Sequence, residues 1–481
     1  MINITIMKNK IRNIVIFSAL ALLISSCTKQ ESENKVKDMN IKLSWGMITN
    51  MLEGESSCRA VFTIQNNANQ TLGNSGWAIY YSQSPREITN APNTKAIVKH
   101  ISGDWFKIIP EQGFSLATEE KLVVHYDLSH YLINETDAPL YPYIVRYDEN
   151  GNETSIEKIS DYTVFPFEKP EQINRGANDV VPIPTPANRY QNNQGLSLLA
   201  DNTLHKIIPT PVHVNPEDGN LNITNALKIY YSSELKSEAI YIREMLQNIT
   251  GTKFSILEKD YKNGKAIVLN SKPLNINGIS SEAYMLEISS NKGVMITGSD
   301  PTGVFYGIQS LMSLMPLETF QTSQNTITVP NIRVEDAPRF PYRGQHLDVC
   351  RNFFAKSTVL KLLDLMAFYK LNHLQLYLSE DEGWRIEIED LPELTAVGAQ
   401  RQHTSKDAAA LHPSYGSGPN SYEKDTHGSG YYSKEDFIEI LKYAHKRHIK
   451  VIPTINFPGH ARAAIKAMEA RYNNFMEKGQ E

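Results

Sequence analysis

The chain has 481 residues, 41% of them hydrophobic and 21% charged, with a formal net charge of -5. That length exceeds one ordinary hydrophobic core and predicts two to four domains. A mildly acidic balance offers no basic stripe for a phosphate backbone, which excludes nucleic acid as the partner and leaves small neutral or polymeric substrates open.

Residues 1–27 differ in kind from the rest. Lys8, Lys10 and Arg12 precede an apolar run from Ile14 to Ile24, shorter than a membrane span and patterned as a signal peptide. The run ends in Ile24-Ser25-Ser26-Cys27, which resembles a bacterial lipobox. Cleavage before Cys27 and lipid attachment to it are expected, against an ordinary signal peptide cut nearby. The polar run TKQESENK then reads as a tether, and the expected location is the cell envelope, lipid-anchored without a spanning helix. Cys58 and Cys350 fall in different segments and give neither a disulfide framework nor zinc spacing, so no metal is expected.

Residues 39–168 carry short β-like runs, among them CRAVFTIQN, GWAIYYS, KLVVHYDLS and YPYIVRYDE, broken by Asn, Gly and Pro. This pattern predicts a β-sandwich. Trp45, Trp77 and Trp105 are read as core side chains ahead of sugar platforms. VVPIPTPAN at 180–188 reads as a stiff linker. Residues 180–330 then predict an α+β domain: LKIYYS, a helix from Glu234 to Leu246, AIVLN, the strand pair YMLEIS and GVMITG, and a helix over DPTGVFYGIQSLMSLM. Gly298, Gly303 and Gly307 suggest a phosphate loop. Val304 and Phe305 stand where such a loop needs Lys and Ser or Thr, so a tight strand-to-helix entry is expected instead.

From Pro338 to Glu481 the rhythm is strand, helix, strand. RGQHLDV is extended, and Ser357 is placed to cap a helix with Val359, Leu362, Leu363 and Met366 on one face. In NHLQLYLS the leucines at 374, 376 and 378 alternate with His373, Gln375 and Tyr377. Ser433 and Asp436 form a capping box, IKVIPTIN is the third strand, and ARAAIKAMEARY is the helix after it. Three strands each followed by a helix are the opening of a (β/α)8 barrel, whose sites form at the C-terminal ends of its strands. Arg343 and Asp348 around strand one, Glu380 and Asp381 after strand two, and His460 after strand three are therefore the candidate site residues. The long segment from Gln400 to Tyr432 suits a pocket wall or lid.

Three motifs, FPYRGQHLDVCRNFF, KLNHLQLYLSEDEGWRIEIEDLPELTAVGAQR and FPGHARAAIKAMEARY, together resemble the family 20 glycoside hydrolases, the β-N-acetylhexosaminidases, and their chitobiase-like branch. The resemblance runs from about Pro330 to Tyr472. It implies the α+β domain before the barrel and, more weakly, a chitobiase-type N-terminal sandwich. It also implies that Arg343 holds the hydroxyls of the terminal sugar, that His460 is coupled to the general acid, and that Glu380, where Asp is common, partners His460. By the same resemblance Asp381 is expected to support the pocket, and Trp384 and Arg385 to pack against the following loop. The implied reaction is retaining, substrate-assisted hydrolysis of terminal β-linked N-acetylglucosamine or N-acetylgalactosamine, with no cofactor.

The Asp-Glu pair that performs this chemistry is expected at the end of a fourth strand, beyond Glu481, so residues 1–481 alone are expected to be inactive. Asp381-Glu382 copies its letters on the wrong strand. Two alternatives remain: a surface lipoprotein that binds glycans without cutting them, and a two-carboxylate glycosidase using Glu380.

Overall fold

The computed structural model describes residues 37–38, 40–52, 56–73, 76–91, 95–176, 178–182, 185–199, 206–404 and 410–479. The signal-peptide segment and Cys27 lie outside these residues. Among the described residues no helix is long and apolar enough to cross a membrane.

Two mostly antiparallel sheets face each other in the N-terminal domain. One has six strands in the order Lys37–Asp38, Glu153–Lys158, Leu140–Tyr147, Trp77–Ser82, Trp105–Pro110 and Ala96–Ser102. The other has five, in the order Asp161–Val164, Ile41–Thr49, Ser57–Asn66, Lys121–Ser129 and Ile88–Asn90. Ser57–Asn66 alternates half-buried and buried side chains along its whole length, the period of a strand with one face on a core. Trp45 is fully buried there and donates to the Tyr126 hydroxyl at 2.8 Å, which donates in turn to Gln83 at 3.0 Å. Trp77 is buried as well.

Trp77–Ser82 behaves differently, being buried at all six positions. A strand loses its alternation when both faces are covered. The second cover comes from far along the chain. On the outer face of the six-stranded sheet, Ala78, Tyr80, Trp105, Tyr143 and Val145 form a separate apolar cluster. His403 meets the Tyr80 ring edge-on, with centroids 4.7 Å apart, and His412 stacks on Trp105 at 5.3 Å. Asp104 accepts from the Ser414 hydroxyl and the Tyr415 N–H, each at 2.6 Å. The described parts of the 400–432 segment, expected as a pocket wall or lid, form the bracket that fastens this domain to the rest.

Of the proline-rich run at 180–188, Thr185 caps a helix over Pro186–Asn192 by accepting from the Asn188 N–H. Threonine at the cap and proline at the first position favour a helix start over an extended linker. The middle domain is a seven-stranded mixed sheet, ordered His213–Ile223, Ile327–Asp336, Tyr284–Ser289, Gly293–Gly298, Ala266–Ser271, Ile229–Tyr231 and Ile256–Glu258. Helices Lys236–Thr250 and Pro301–Ser313 pack on it. Asp300 caps the second helix by accepting from the Gly303 N–H at 2.8 Å. A Cβ on Gly303 would stand 2.2 Å from the Ala283 carbonyl oxygen, and one on Gly307 2.5 Å from Ile296 Cγ2. These glycines bring helix and sheet together, which accounts for their spacing without a phosphate.

The last domain contributes three parallel strands, Gly344–Asp348, Lys450–Thr454 and, between them, His373–Tyr377. Helices Lys356–Phe368, Lys434–His445 and Arg462–Glu477 follow them in chain order. Leu374, Leu376 and Leu378 are fully buried on the helix-covered side. Ser433 and Asp436 form the capping box of the second helix. The first helix begins at Lys356 with Ala355 as its cap, so Ser357 lies inside the first turn and does not cap it. One continuous core runs from Ile296 and Phe305 of the middle domain to Val359 and Leu376 here, so the two domains share their hydrophobic burial.

The bracket carries a titratable group. His403 takes a hydrogen bond on Nδ1 from the Tyr143 hydroxyl at 3.0 Å and offers Nε2 to Glu153 at 3.1 Å, which suits the neutral ring. Burial pushes its pKa below the usual 6.5, and Glu153 only partly offsets this. A histidine depressed in the folded state binds its proton more readily when unfolded. Its stabilising contribution is present above about pH 6.5 and fades as pH falls through the folded value. Thermal unfolding between about pH 7.5 and pH 5 is expected to show this loss, and His403→Gln to flatten it; equal slopes for the two proteins would contradict the assignment.

Candidate functional site

Glu380 and Asp381 follow strand two and His460 follows strand three, at the same end of the parallel sheet. Ser379–Glu380 pairs with Gly383–Trp384 in a two-stranded ribbon that folds the chain back and buries the Glu380 carboxylate. Its Oε1 accepts from Asn456 Nδ2 at 2.7 Å and lies 3.1 Å from Arg351 Nη2. Its Oε2 stands 3.0 Å from His460 Nδ1. Asp381 lies 3.2 Å from the same nitrogen, and its other oxygen caps the last helix by accepting from the Arg462 N–H at 3.0 Å. The structure therefore brings Glu380, Asp381 and His460 together. The imidazole itself is 61% exposed, a polar head presented to solvent on a buried carboxylate.

Arg343 is not in this group. It precedes the first residue of strand one, at the opposite end of the sheet from Glu380. Its guanidinium is spent on the Lys370 and Phe340 carbonyls, the Tyr306 hydroxyl and the Glu282 carboxylate, at 2.7 to 2.8 Å. Tyr306 and Glu282 belong to the middle domain. Arg343 thus joins two domains, and the expectation that it holds sugar hydroxyls is corrected by its place in the fold.

The arginine at the correct end is Arg351, which the sequence reading passed over inside the motif DVCRNFF. It pairs with Asp348, with Glu380, and at 3.9 Å with Glu382, yet its side chain stays 32% exposed. Burial works against the charges here, but the Arg351 hydrogen bond and the N–H groups of Arg351 and Cys350 hold the Asp348 carboxyl below its ordinary range. Glu382 is pushed up by burial, which Arg351 and Arg401 only partly counter. Tyr415 also hydrogen-bonds the Arg351 side chain, so a ligand at this fork would share it with Asp348, Glu380 and Tyr415.

Beneath this rim lie two arginines with no carboxylate among their hydrogen-bond partners. Arg385, fully buried, donates to the carbonyls of Val349, Ala399, Gly430, Cys350 and Gly428 at 2.7 to 3.1 Å. Arg401, 1% exposed, donates to those of Glu382, Ser414, Cys350 and Arg351. Both reach Cys350 O. Burial and mutual repulsion lower Arg385 to about 9, and burial lowers Arg401 to about 10, so both remain charged at neutral pH. Their charge is balanced across the loop by Asp348, Asp104 and Glu382. Arg385, expected to pack against the following loop, in fact organises it.

Among the described residues one group has metal-ligand proximity, Glu380, Asp381 and His460, whose donor atoms lie within 4.8 Å of one another. Arg351, on the same carboxylate, already supplies the cation there. Glu380 is also too enclosed to attack a sugar, which removes the support for a two-carboxylate mechanism built on it.

Residues 340–481 match the model of the glycosyl hydrolase family 20 catalytic domain, 204–337 that of family 20 domain 2, and 36–187 a putative carbohydrate binding domain. The chain belongs to glycosyl hydrolase family 20. It is 33% identical over 458 residues to a β-hexosaminidase of Vibrio vulnificus, spanning 93% of this chain and 50% of that protein. To the N,N'-diacetylchitobiase of Vibrio harveyi it is 32% identical over 489 residues, spanning 98% and 53%. Its fold is similar to that of an exo-β-N-acetylglucosaminidase from Vibrio harveyi solved with N-acetylglucosamine, with a TM-score of 0.70 at 23% identity over 89% of this chain and 59% of that one. The chain spans about half the length of these curated family 20 relatives.

Replacing Arg401 by Lys keeps one charge but not the planar fork, stranding buried carbonyls at about 1–3 kcal/mol each. Arg401→Lys is expected to destabilise the chain by about 3 kcal/mol or more in urea unfolding; a loss under about 1 kcal/mol would show that the clamp is dispensable.

Proposed function

We propose that these residues belong to an exo-acting β-N-acetylhexosaminidase that removes terminal β-linked N-acetylglucosamine or N-acetylgalactosamine with retention. The observation that carries this reading is the Arg351, Glu380 and His460 constellation at the C-terminal ends of three parallel strands, which on this reading open a (β/α)8 barrel. The acetamido oxygen of the substrate attacks the anomeric carbon while a carboxylic acid protonates the departing glycosidic oxygen. Water then opens the cyclic intermediate, with that carboxylate as base. The scheme needs no enzyme nucleophile, unlike the two-carboxylate one.

His460 would face that acid/base, held by the buried Glu380, and Asp381 would fix the turn before the last helix. The forked donor of Arg351 suits vicinal sugar hydroxyls better than a point charge does. The acid/base pair is expected at the end of a fourth strand, next after the three described. The same reading places the protein in the cell envelope, anchored through Cys27, acting on N-acetylhexosamine-containing glycans.

A glycan-binding lipoprotein without catalysis draws support from the match of residues 36–187 to a putative carbohydrate binding domain. Against it, the aromatic face of that domain, around Tyr80 and Trp105, is occupied by His403 and His412.

The test is turnover of a 4-nitrophenyl N-acetyl-β-glucosaminide against the matching β-glucoside by the enzyme containing these residues. Only the first is expected to react. Arg351→Met is expected to raise KM about tenfold or more, whereas Arg343→Met lowers stability and leaves KM unchanged. Glu380→Gln and His460→Ala, acting on one relay, are expected to combine with losses in log kcat well short of additive. Equal glucoside turnover, or additive losses, would overturn the reading.

A further inference from the structure

Beside Arg343, at the end of the sheet away from Glu380, a cavity of about 390 Å³ lies between the middle domain and the three-stranded sheet. That volume is within the range of small-molecule sites. Its walls include Val212, Phe340 and Tyr369, and Lys370 is directed into it. Lys370 is only 6% exposed, and its Nζ has no hydrogen-bond partner.

The donor and acceptor balance of this cavity is uneven. The Asp336 carboxylate already accepts from the Val212 N–H at 3.3 Å and the Tyr284 hydroxyl at 3.2 Å. Glu282 accepts from Arg343 at 2.7 Å, as does the Tyr306 hydroxyl. These acceptors already carry donors, whereas the buried Lys370 ammonium lies over the Tyr284 ring at 5.9 Å without a hydrogen-bond acceptor, and an unmet buried donor is costly. A ligand that restores the balance must bring an acceptor. Its sign follows from the formal charges of the lining, in which Lys370, Arg343 and Arg339 outnumber Asp336 and Glu282; the Arg339 guanidinium lies over Phe340 at 5.4 Å. Its body follows from the apolar and aromatic walls.

We propose that this cavity binds a small carboxylic acid with an apolar body, its carboxylate on the Lys370 ammonium and its body against Val212, Phe340 and Tyr369. This inference is independent of the hydrolase reading. Burial lowers Lys370 to about 8, with Asp336 opposing the shift and Arg343 adding to it. The charged and titratable groups that line the cavity with the ammonium are Asp336, Glu282, Arg343, Arg339, Tyr284, Tyr306 and Tyr369.

Sodium benzoate titrated calorimetrically into the 481-residue chain at constant ionic strength is the test. Saturable one-site binding is expected at pH 7, with benzyl alcohol, the same body without the charge, weaker by about tenfold or more. Affinity for benzoate should fall about tenfold or more between pH 7 and pH 9.5 as Lys370 loses its proton. Near pH 8 the heat should depend on the buffer's ionisation enthalpy, because binding draws a proton onto the amine. Lys370→Met is expected to abolish binding and Arg339→Gln to weaken it. If Lys370→Met fails to fold, the pH series on the unaltered chain decides. No saturable binding at pH 7, affinity unchanged at pH 9.5, or equal binding of benzyl alcohol would overturn the proposal.

Discussion

Two buried guanidinium groups hold the end of the sheet where the chemistry is proposed. Arg385 and Arg401 share the Cys350 carbonyl and together gather the backbone after strand one, the ribbon at 379–384 and both arms of the 400–432 segment. Loop backbone is seldom buried because its carbonyls lose water; here nine donor-to-carbonyl contacts replace it. Without these cations the polar backbone would be driven back toward solvent, and Arg351 would lose the fixed loop from which it reaches Glu380. The clamp is electrostatically tolerable because carboxylates ring it, the half-buried Glu382 among them.

The clamp also explains why the domains depend on one another. Ser414, whose carbonyl receives Arg401, offers its hydroxyl to Asp104 of the sandwich. The sandwich therefore contributes to a continuous chain of contacts that runs from Asp104 through Ser414 and Arg401 to the Arg351 carbonyl. On the other side, Arg343 and the shared core fix the sheet to the middle domain. The sheet edge is thus oriented by both neighbours, one at each end of its strands.

Much of this was legible in the sequence. Period-two alternation marked NHLQLYLS as a half-covered strand, and the Ser433 box marked a helix start, because both signals are local. The pairing of Glu380 with His460 was what the resemblance to family 20 implied, and the structure sets their atoms 3.0 Å apart. Arg343 was misplaced because a motif gives a residue's position along the chain but not the end of the strand it occupies; Arg343 and Arg351 bracket the same strand. Arg385 and Arg401 gave no pattern, since their partners are backbone carbonyls and any residue supplies those. The docking of 400–432 on the sandwich did leave one trace, the unbroken apolar run WAIYY, which needs a cover on each face.

The central proposal is that a terminal sugar would be held at the end of the sheet where Arg351 lies over the carboxylate of Glu380, with Arg343 kept for domain joining. A crystal structure of the enzyme containing these residues with N-acetylglucosamine bound tests it most directly. The sugar is predicted at the C-terminal ends of the three strands, with hydroxyls about 3 Å from the Arg351 fork and His460 still on Glu380. A sugar seated against Arg343, or bound with Arg351 turned away, would contradict the account.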